Sequence, residues 1–213
     1  MLHLAPNFGL FLTAAFLLSI TPGPGLLYVL ARSLHGGRRE GLLSCLGTFM
    51  GGLFHVVAAG LGLSAVLMTS ALAFSLIKYA GAAYLIYMGI RMLVERNGDA
   101  LEAADLAGQR RAGRSNALRQ GIITEILNPK TALFFLAFIP QFVDPTAGTT
   151  GQFLLLGLIT ALFNLTSDTI VAWFAGPIGQ YLKRHRQFRK RQQQVSGLIL
   201  IGLGTSVAVA EQN

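Results

Sequence analysis

The chain has 213 residues, of which 53% are hydrophobic and only 12% charged, whereas a soluble domain of this size carries about twice that charged fraction. Its net charge of +8 could suit nucleic acid, but the basic residues flank apolar segments and form no face interleaved with aromatics, which excludes that partner. A single cysteine, Cys45, excludes an intrachain disulfide, a CxxC pair and a thiolate metal cage; lying in an apolar stretch, it reads as a buried, inert residue.

Charge is also spread unevenly along the chain. Phe8 to Ala31 holds no charged residue, Gly41 to Ile77 holds none beyond His55, and Ile126 to Tyr181 holds only Lys130, Asp144 and Asp168. About 20 mostly apolar residues cross a bilayer, so these stretches read as membrane spans. No Lys or Arg precedes Phe8 and no small-residue cleavage pattern follows Leu18, so the first segment is expected to be a retained helix and not a signal peptide.

Taken in chain order, span 1 runs about Phe8 to Leu30, span 2 Gly41 to Leu67, and span 3 Ala73 to Leu93. A polar segment, Glu95 to Arg119, follows; then span 4 about Gly121 to Phe142, span 5 Gln152 to Gly176, and span 6 Val195 to Ala210. None shows the period-2 alternation of a membrane barrel strand. The expectation is an all-α membrane protein of six transmembrane helices.

Lysine and arginine set its orientation, because basic loops stay in the cytoplasm. The first connection carries Arg32, Arg38 and Arg39; the third, with the end of span 3, Arg91, Arg96, Arg110, Arg111, Arg114 and Arg119; the fifth, Lys183, Arg184, Arg186, Arg189, Lys190 and Arg191. That is fifteen of the 17 basic residues, and the second and fourth connections have none. Both termini are therefore expected outside. The Lys183 to Arg191 cluster reads as an anchor beside anionic headgroups.

The halves resemble each other in order. Thr21-Pro22-Gly23-Pro24-Gly25-Leu26-Leu27-Tyr28 aligns with Asn128-Pro129-Lys130-Thr131-Ala132-Leu133-Phe134-Phe135, and Leu53-Phe54-His55 with Leu162-Phe163-Asn164; Gly81 and Gly197 each begin a small-residue-rich apolar run. Each half has three spans, an odd number, so the halves must lie inverted, a plan that places transporter sites near the midplane. One domain is expected, with repeat 1 about 8–93, a cytoplasmic loop about 95–119, and repeat 2 about 120–210.

Helices 1 and 4 are expected to be broken. Pro22 and Pro24 each cost about 3 kcal/mol in a helix interior, and Gly23 and Gly25 permit close backbone approach. Asn128 before Pro129 can cap the half-helix that follows, whose N–H groups would suit a carboxylate. A simple packing kink is the other reading of each break, less apt for two breaks at matching places.

Glu125, Lys130 and Asp168 are charged at membrane depth, where such groups face the bundle interior and pair. Glu125 is about one turn from the cytoplasmic end and could be interfacial; Asp168 is nearest the midplane. Desolvation disfavours the charged form of a carboxyl group, which suits Asp168 to reversible protonation, although a structural pair would also explain it. Lys130 faces the cavity, pairs with an acid, or snorkels. His55 reads as a satisfied interior histidine or as a proton relay or substrate contact; it is a poor metal ligand, having no partners. Lys78 reads as an interfacial anchor, and Tyr79, Tyr84 and Tyr87 as packing or interface residues. No phosphate-binding loop, Ser/His/Asp set or HExxH helix occurs.

With Thr21-Pro22-Gly23-Pro24-Gly25 near the start, and mid-chain Asn128-Pro129-Lys130-Thr131-Ala132-Leu133-Phe134-Phe135-Leu136-Ala137-Phe138-Ile139-Pro140-Gln141-Phe142, the sequence resembles the lysine exporter (LysE) family, and more closely its homoserine/threonine-resistance (RhtB-type) branch. The Lys78-Tyr79-Ala80-Gly81-Ala82-Ala83-Tyr84-Leu85 run resembles the family's third helix. The resemblance covers essentially the whole chain. It implies export of amino acids or close derivatives (homoserine-, threonine- or leucine-like) from the bacterial cytoplasm across the inner membrane, driven by protons, without a cofactor or metal and without enzymatic activity. The matching motif positions are Pro22, Gly23, Pro24 and Gly25, then Asn128, Pro129 and Lys130. Glu125 stands where many family members carry a neutral polar residue such as Asn, so it alters substrate charge preference or pairs with a loop arginine.

The expected mechanism puts a substrate carboxylate at the half-helix N-termini and its ammonium at Asp168 or at freed carbonyls. The halves rock about this site while Asp168 exchanges a proton. Two other classes remain: a membrane redox carrier or membrane-embedded enzyme, against which the lone Cys45 argues, and a non-transporting assembly subunit. Gly47, Gly51, Gly52, Gly60 and Gly62 permit close helix packing, within one chain or in a homo-oligomer.

Overall fold

The computed structural model describes residues 8–63, 65, 69–94, 116–144 and 146–209. Most of the polar Glu95 to Arg119 segment, with Arg96, Arg110, Arg111 and Arg114, lies outside the described residues, as do most positions of 64–68 and Ala210. Every regular element described is helical. In chain order these are α1 Phe8–Ile20, α2 Pro24–Ala58 with a π turn Ala59–Leu63, α3 Ala71–Val94, α4 Ala117–Ile126, α5 Pro129–Leu133, α6 Thr149–Trp173, α7 Ala175–Arg184 and α8 Arg186–Val209. A π turn Phe134–Phe138 and a 3-10 turn Ile139–Phe142 prolong α5.

Three stretches are long and apolar enough to cross a membrane: Pro24–Gly62, Leu72–Val94 and Thr149–Trp173. Ala117–Ile126 with Pro129–Phe142, bent by 43°, passes as one broken span, and Phe8–Ile20 is a shorter apolar helix. Within α2, Gly37 has φ +75°, a conformation that L side chains resist and glycine adopts freely. There the chain turns back on itself, so that a Cβ on Gly41 would strike the Ser33 hydroxyl, although eight residues of straight helix span about 12 Å. The stretch is thus two antiparallel limbs, one on each side of Gly37.

The Gly37 hairpin changes the reading of Arg32. Expected in a cytoplasmic loop, it is instead 1% exposed and paired across the turn with Glu40 at 2.9 Å. Lys78, expected at an interface, is also buried, with its ammonium 5.2 Å from the Tyr79 ring centre; α3 starts at Ala71, which moves Lys78 two turns inward. Tyr79, Tyr84 and Tyr87 point outward. The last helix starts at Arg186, not near Val195, so the basic residues of the fifth connection lie mainly on helix.

In the interior, α2 packs along α4 and α6, α3 along α8, and α1 against α6. Apolar contact alone cannot drive this inside lipid, so close backbone approach must. A Cβ on Gly47 would meet the Leu118 carbonyl, one on Gly121 the Ser44 carbonyl, and one on Gly60 the Leu154 side chain. Gly47, Gly51 and Gly60 thus serve packing within one chain, whereas Gly62 faces open space. Phe11, Phe134, Phe135, Phe138, Phe142 and Phe153 build the main core; Cys45 lies buried beside Tyr28, Val29 and Ala172.

Basic residues gather at one end. Tyr28 donates to the Ala117 carbonyl at 2.7 Å, Leu34 backs onto Gly179, and Arg38 lies 5.0 Å from the Trp173 ring, which brings the Gly37 turn, the start of α4 and the end of α6 together. Exposed Trp173, Phe174, Tyr181 and Phe188 ring that end, the placement of an aromatic belt at a bilayer surface.

Candidate functional site

The first break falls where the prolines demand it. α1 ends at Ile20, Thr21 to Gly23 are non-helical, and α2 opens with extended Gly23 as N-cap and Pro24 as its first residue, where a missing N–H costs nothing. The second falls at Leu127 and Asn128. Asn128 accepts from the Lys130 N–H at 3.1 Å, capping α5 behind Pro129 as expected.

At the first break Leu18 O accepts from the Thr21 N–H at 3.1 Å, and Thr21 O lies just beyond the end of α1. Lys130 supplies a donor to both, its Nζ donating to Leu18 O at 3.0 Å and to Thr21 O at 2.9 Å. Its chain passes over Gly23, where a Cβ would lie 3.1 Å from Cε. A cation at the negative end of a helix is favourable. The sequence readings of Lys130 as an acid's partner or a snorkelling group are both replaced: it ties the two breaks together.

Glu125 does the converse at the second break. Its carboxylate accepts from Asn128 Nδ2 at 3.0 Å and from the Thr131 hydroxyl at 2.5 Å, and its Oε2 lies against Gly25 so closely that any Cβ there would collide. Glu125 is 5% exposed, not interfacial, because α4 begins at Ala117 and puts it more than two turns inside. An internal carboxylate thus lies beside both half-helix starts, held by side chains, while no side chain caps the start of α2.

His55 stands behind this acid, with Nε2 3.0 Å from the Glu125 carbonyl oxygen and the ring between Phe54 and Phe135. It is the satisfied interior histidine of the first reading and touches the site through Glu125.

A small cavity opens between the breaks. Ser19 of α1, Leu26, Thr48, Phe49 and Gly52 of α2, Glu125, Asn128, Lys130, and Ala161, Asn164 and Asp168 of α6 line it. About 20 Å³ is open to water, room for one or two molecules. Asp168 is 94% buried by its 6% exposure, and Oδ2 accepts from Thr48 Oγ1 at 2.7 Å. Its other oxygen accepts no hydrogen bond from the described residues. Lys130 uses two of its three protons, and Asn164 makes no hydrogen bond of its side chain. An acceptor on Asp168, a proton on Lys130, the second amide proton of Asn128 and the Asn164 amide thus remain for a ligand.

The structure so brings together Gly23, Gly25, Glu125, Asn128, Lys130 and Asp168. Pro22 and Pro129 are half-buried and Pro24 is exposed, so the prolines act on backbone direction, not by contact. Sequence reasoning missed Thr48, Thr131 and Ser19. Thr131 was within reach, as the residue after Asn128-Pro129-Lys130 in a charged neighbourhood; Thr48 is one hydroxyl among many in apolar helices. Among the described residues no group of three His, Cys, Asp or Glu could hold a metal ion.

The LysE type translocator family model matches residues 16–211. An uncharacterized membrane protein of Vibrio cholerae is 33% identical, over 94% of this chain and 96% of its own length. A homoserine/homoserine lactone efflux protein of Salmonella typhimurium is 31% identical, over 90% and 91%. A leucine efflux protein of Enterobacter is 28% identical, over 95% of each chain. No solved structure matches significantly. The chain belongs to the LysE type translocator family, a family of amino-acid efflux transporters and not of enzymes.

Proposed function

From that membership, we propose that this chain is a secondary exporter of amino acids or close derivatives, working in the bacterial inner membrane by exchange with protons. The observation that carries the reading is Asp168: a buried carboxyl group that accepts from Thr48 at one oxygen and lines the cavity where two broken helices meet. Six spans in two inverted three-helix repeats accommodate it, about 8–93 and 120–210 within a single domain. α1 with the limb before Gly37 counts as the first span, the limb after Gly37 as the second, α3 as the third, α4 with α5 as the fourth, α6 as the fifth and α8 as the sixth. The lipid bilayer is its solvent, and the end that gathers Arg38, Arg119, Arg184 and Lys190 faces the cytoplasm, with both termini outside.

In this mechanism the substrate ammonium reaches the open oxygen of Asp168, and its polar end meets the third proton of Lys130 and the Asn164 amide. Opening to either side requires the two halves to move apart, and the Lys130 bonds to Leu18 and Thr21 are what hold them. Proton uptake by Asp168 from outside weakens its grip on the ammonium, so that inward proton flow accompanies substrate release.

The test is intracellular accumulation of an amino-acid panel with and without the protein, followed by Asp168→Asn. The substitution should abolish gradient-driven export while the protein still inserts. Undiminished export by Asp168→Asn would remove Asp168 from the coupling scheme, and no change for any compound would remove the exporter reading.

A further inference from the structure

We infer that Gly52 limits the length of the substrate side chain: its missing Cβ leaves room over the α2 backbone for the aliphatic end of an exported amino acid. This rests on the exporter reading of the same cavity.

A buried glycine in a membrane helix is ordinarily explained by a neighbour too close for a side chain. The glycines around Gly52 follow that rule. A Cβ on Gly51 would lie 2.7 Å from the Glu125 Cβ and from the Ile122 carbonyl oxygen. Farther along the seam between α2 and α6, a Cβ on Gly60 would lie 2.9 Å from the Leu154 side chain, and one on Gly157 2.9 Å from Phe135. Gly52 differs. It is buried, yet a Cβ there would meet only the Ala161 Cβ, at 3.9 Å, which is ordinary van der Waals contact. Alanine would fit and is the better helix former, so packing in this structure gives no reason for glycine at this position.

The space over Gly52 belongs to the cavity, which Gly52 and Ala161 both line, with Leu26 and Phe49 completing an apolar side. Thr48, which donates to Asp168, stands one turn before Gly52 on the same helix, so the apolar side begins about 6 Å from that pair. An amino acid whose ammonium is held at Asp168 can span that distance with an aliphatic side chain of about three carbons. Asp168 is 6% exposed and one of its oxygens accepts nothing from the described residues, an acceptor that an ammonium would satisfy. The alignment of Leu53-Phe54-His55 with Leu162-Phe163-Asn164 also pairs Gly52 with Ala161. The two positions that face each other across this space are therefore equivalent in the two halves.

Efflux of labelled alanine, norvaline and norleucine from liposomes holding the reconstituted protein, compared with protein-free liposomes, tests this. The three share a head group and differ only in side-chain length. Wild type should carry norvaline, and Gly52→Ala should cut the norvaline-to-alanine flux ratio about tenfold. Ala161→Gly, which widens the same space, should raise the norleucine-to-alanine ratio. In thermal unfolding Gly52→Ala should melt at or above wild type, and Gly51→Ala below it. Ratios that stay at wild-type values in both cavity variants overturn the inference. So does an equal loss for all three compounds, which would assign Gly52 to helix packing in another conformation. A Gly52→Ala protein that melts as low as Gly51→Ala, or a wild type confined to alanine, also overturns it; the exporter reading survives each of these results. Flux of none of the three by wild type overturns both. Should Gly52→Ala fail to insert, the Ala161→Gly ratio decides.

Discussion

Replacing Lys130 with Met tests whether the ammonium is a fastener between the broken helices. The substitution keeps a flexible chain of similar length over Gly23 and deletes two charge-assisted hydrogen bonds, to Leu18 O and Thr21 O. Leu18 O still accepts from the Thr21 N–H at 3.1 Å, whereas Thr21 O loses its one donor. A hydrogen bond from a charged group contributes about 1.5–3 kcal/mol, and an orphaned buried carbonyl costs about 1–3 kcal/mol. Against this, the variant no longer buries an ammonium, and cavity water can reach part of the freed carbonyl. The balance is a loss of about 2–4 kcal/mol, which for a chain of this size lowers Tm by roughly 5–15 °C. Thermal unfolding in detergent measures it, with Lys190→Met, an exposed lysine, as the control that should leave Tm within about 2 °C. If Lys130→Met melts like wild type, the bonds at the break carry no load and the fastening argument is wrong.

Two further outcomes follow from neighbouring contacts. Thr48→Val removes the donor to Asp168 Oδ2 and should slow proton-driven export by about tenfold in vesicles, while Thr48→Ser, which keeps the hydroxyl, should export at close to the wild-type rate. Gly25→Ala forces a Cβ onto the Glu125 carboxylate and should cost about 1–3 kcal/mol by overpacking; the double variant with Glu125→Ala should be less destabilised than the two single effects together, as read by thermal unfolding of all three proteins.

Much of the architecture was legible because the bilayer imposes simple requirements. Apolar length marked the long helices of Pro24–Gly62, Leu72–Val94 and Thr149–Trp173, and Pro22, Pro24 and Asn128-Pro129 located both breaks, since a proline's missing N–H acts wherever it falls. Ends were harder to place. Interfacial residues such as Arg186 to Gln194 are polar yet helical, so hydropathy put the start of the last helix nine residues late. The Gly37 reversal hid in a run that reads as continuous helix, and it accounts for the burial of Arg32. At the site, residue types showed which groups carry charge but not which atoms meet. That Lys130 would bond carbonyls more than 100 positions earlier, and that Glu125 would lie against Gly25, depends on how two half-helices cross. No local pattern encodes that.

The Lys130 fastening also sets an order of events during synthesis. Leu18 and Thr21 precede it by 112 and 109 residues, and a ribosome adding about 5–20 residues per second needs on the order of ten seconds to cover that distance. For that interval the first helix sits in the membrane with its end incomplete, dependent on water or lipid headgroups for its carbonyls. The N-terminal half therefore cannot reach its final shape alone, and maturation waits for the middle of the chain to be inserted.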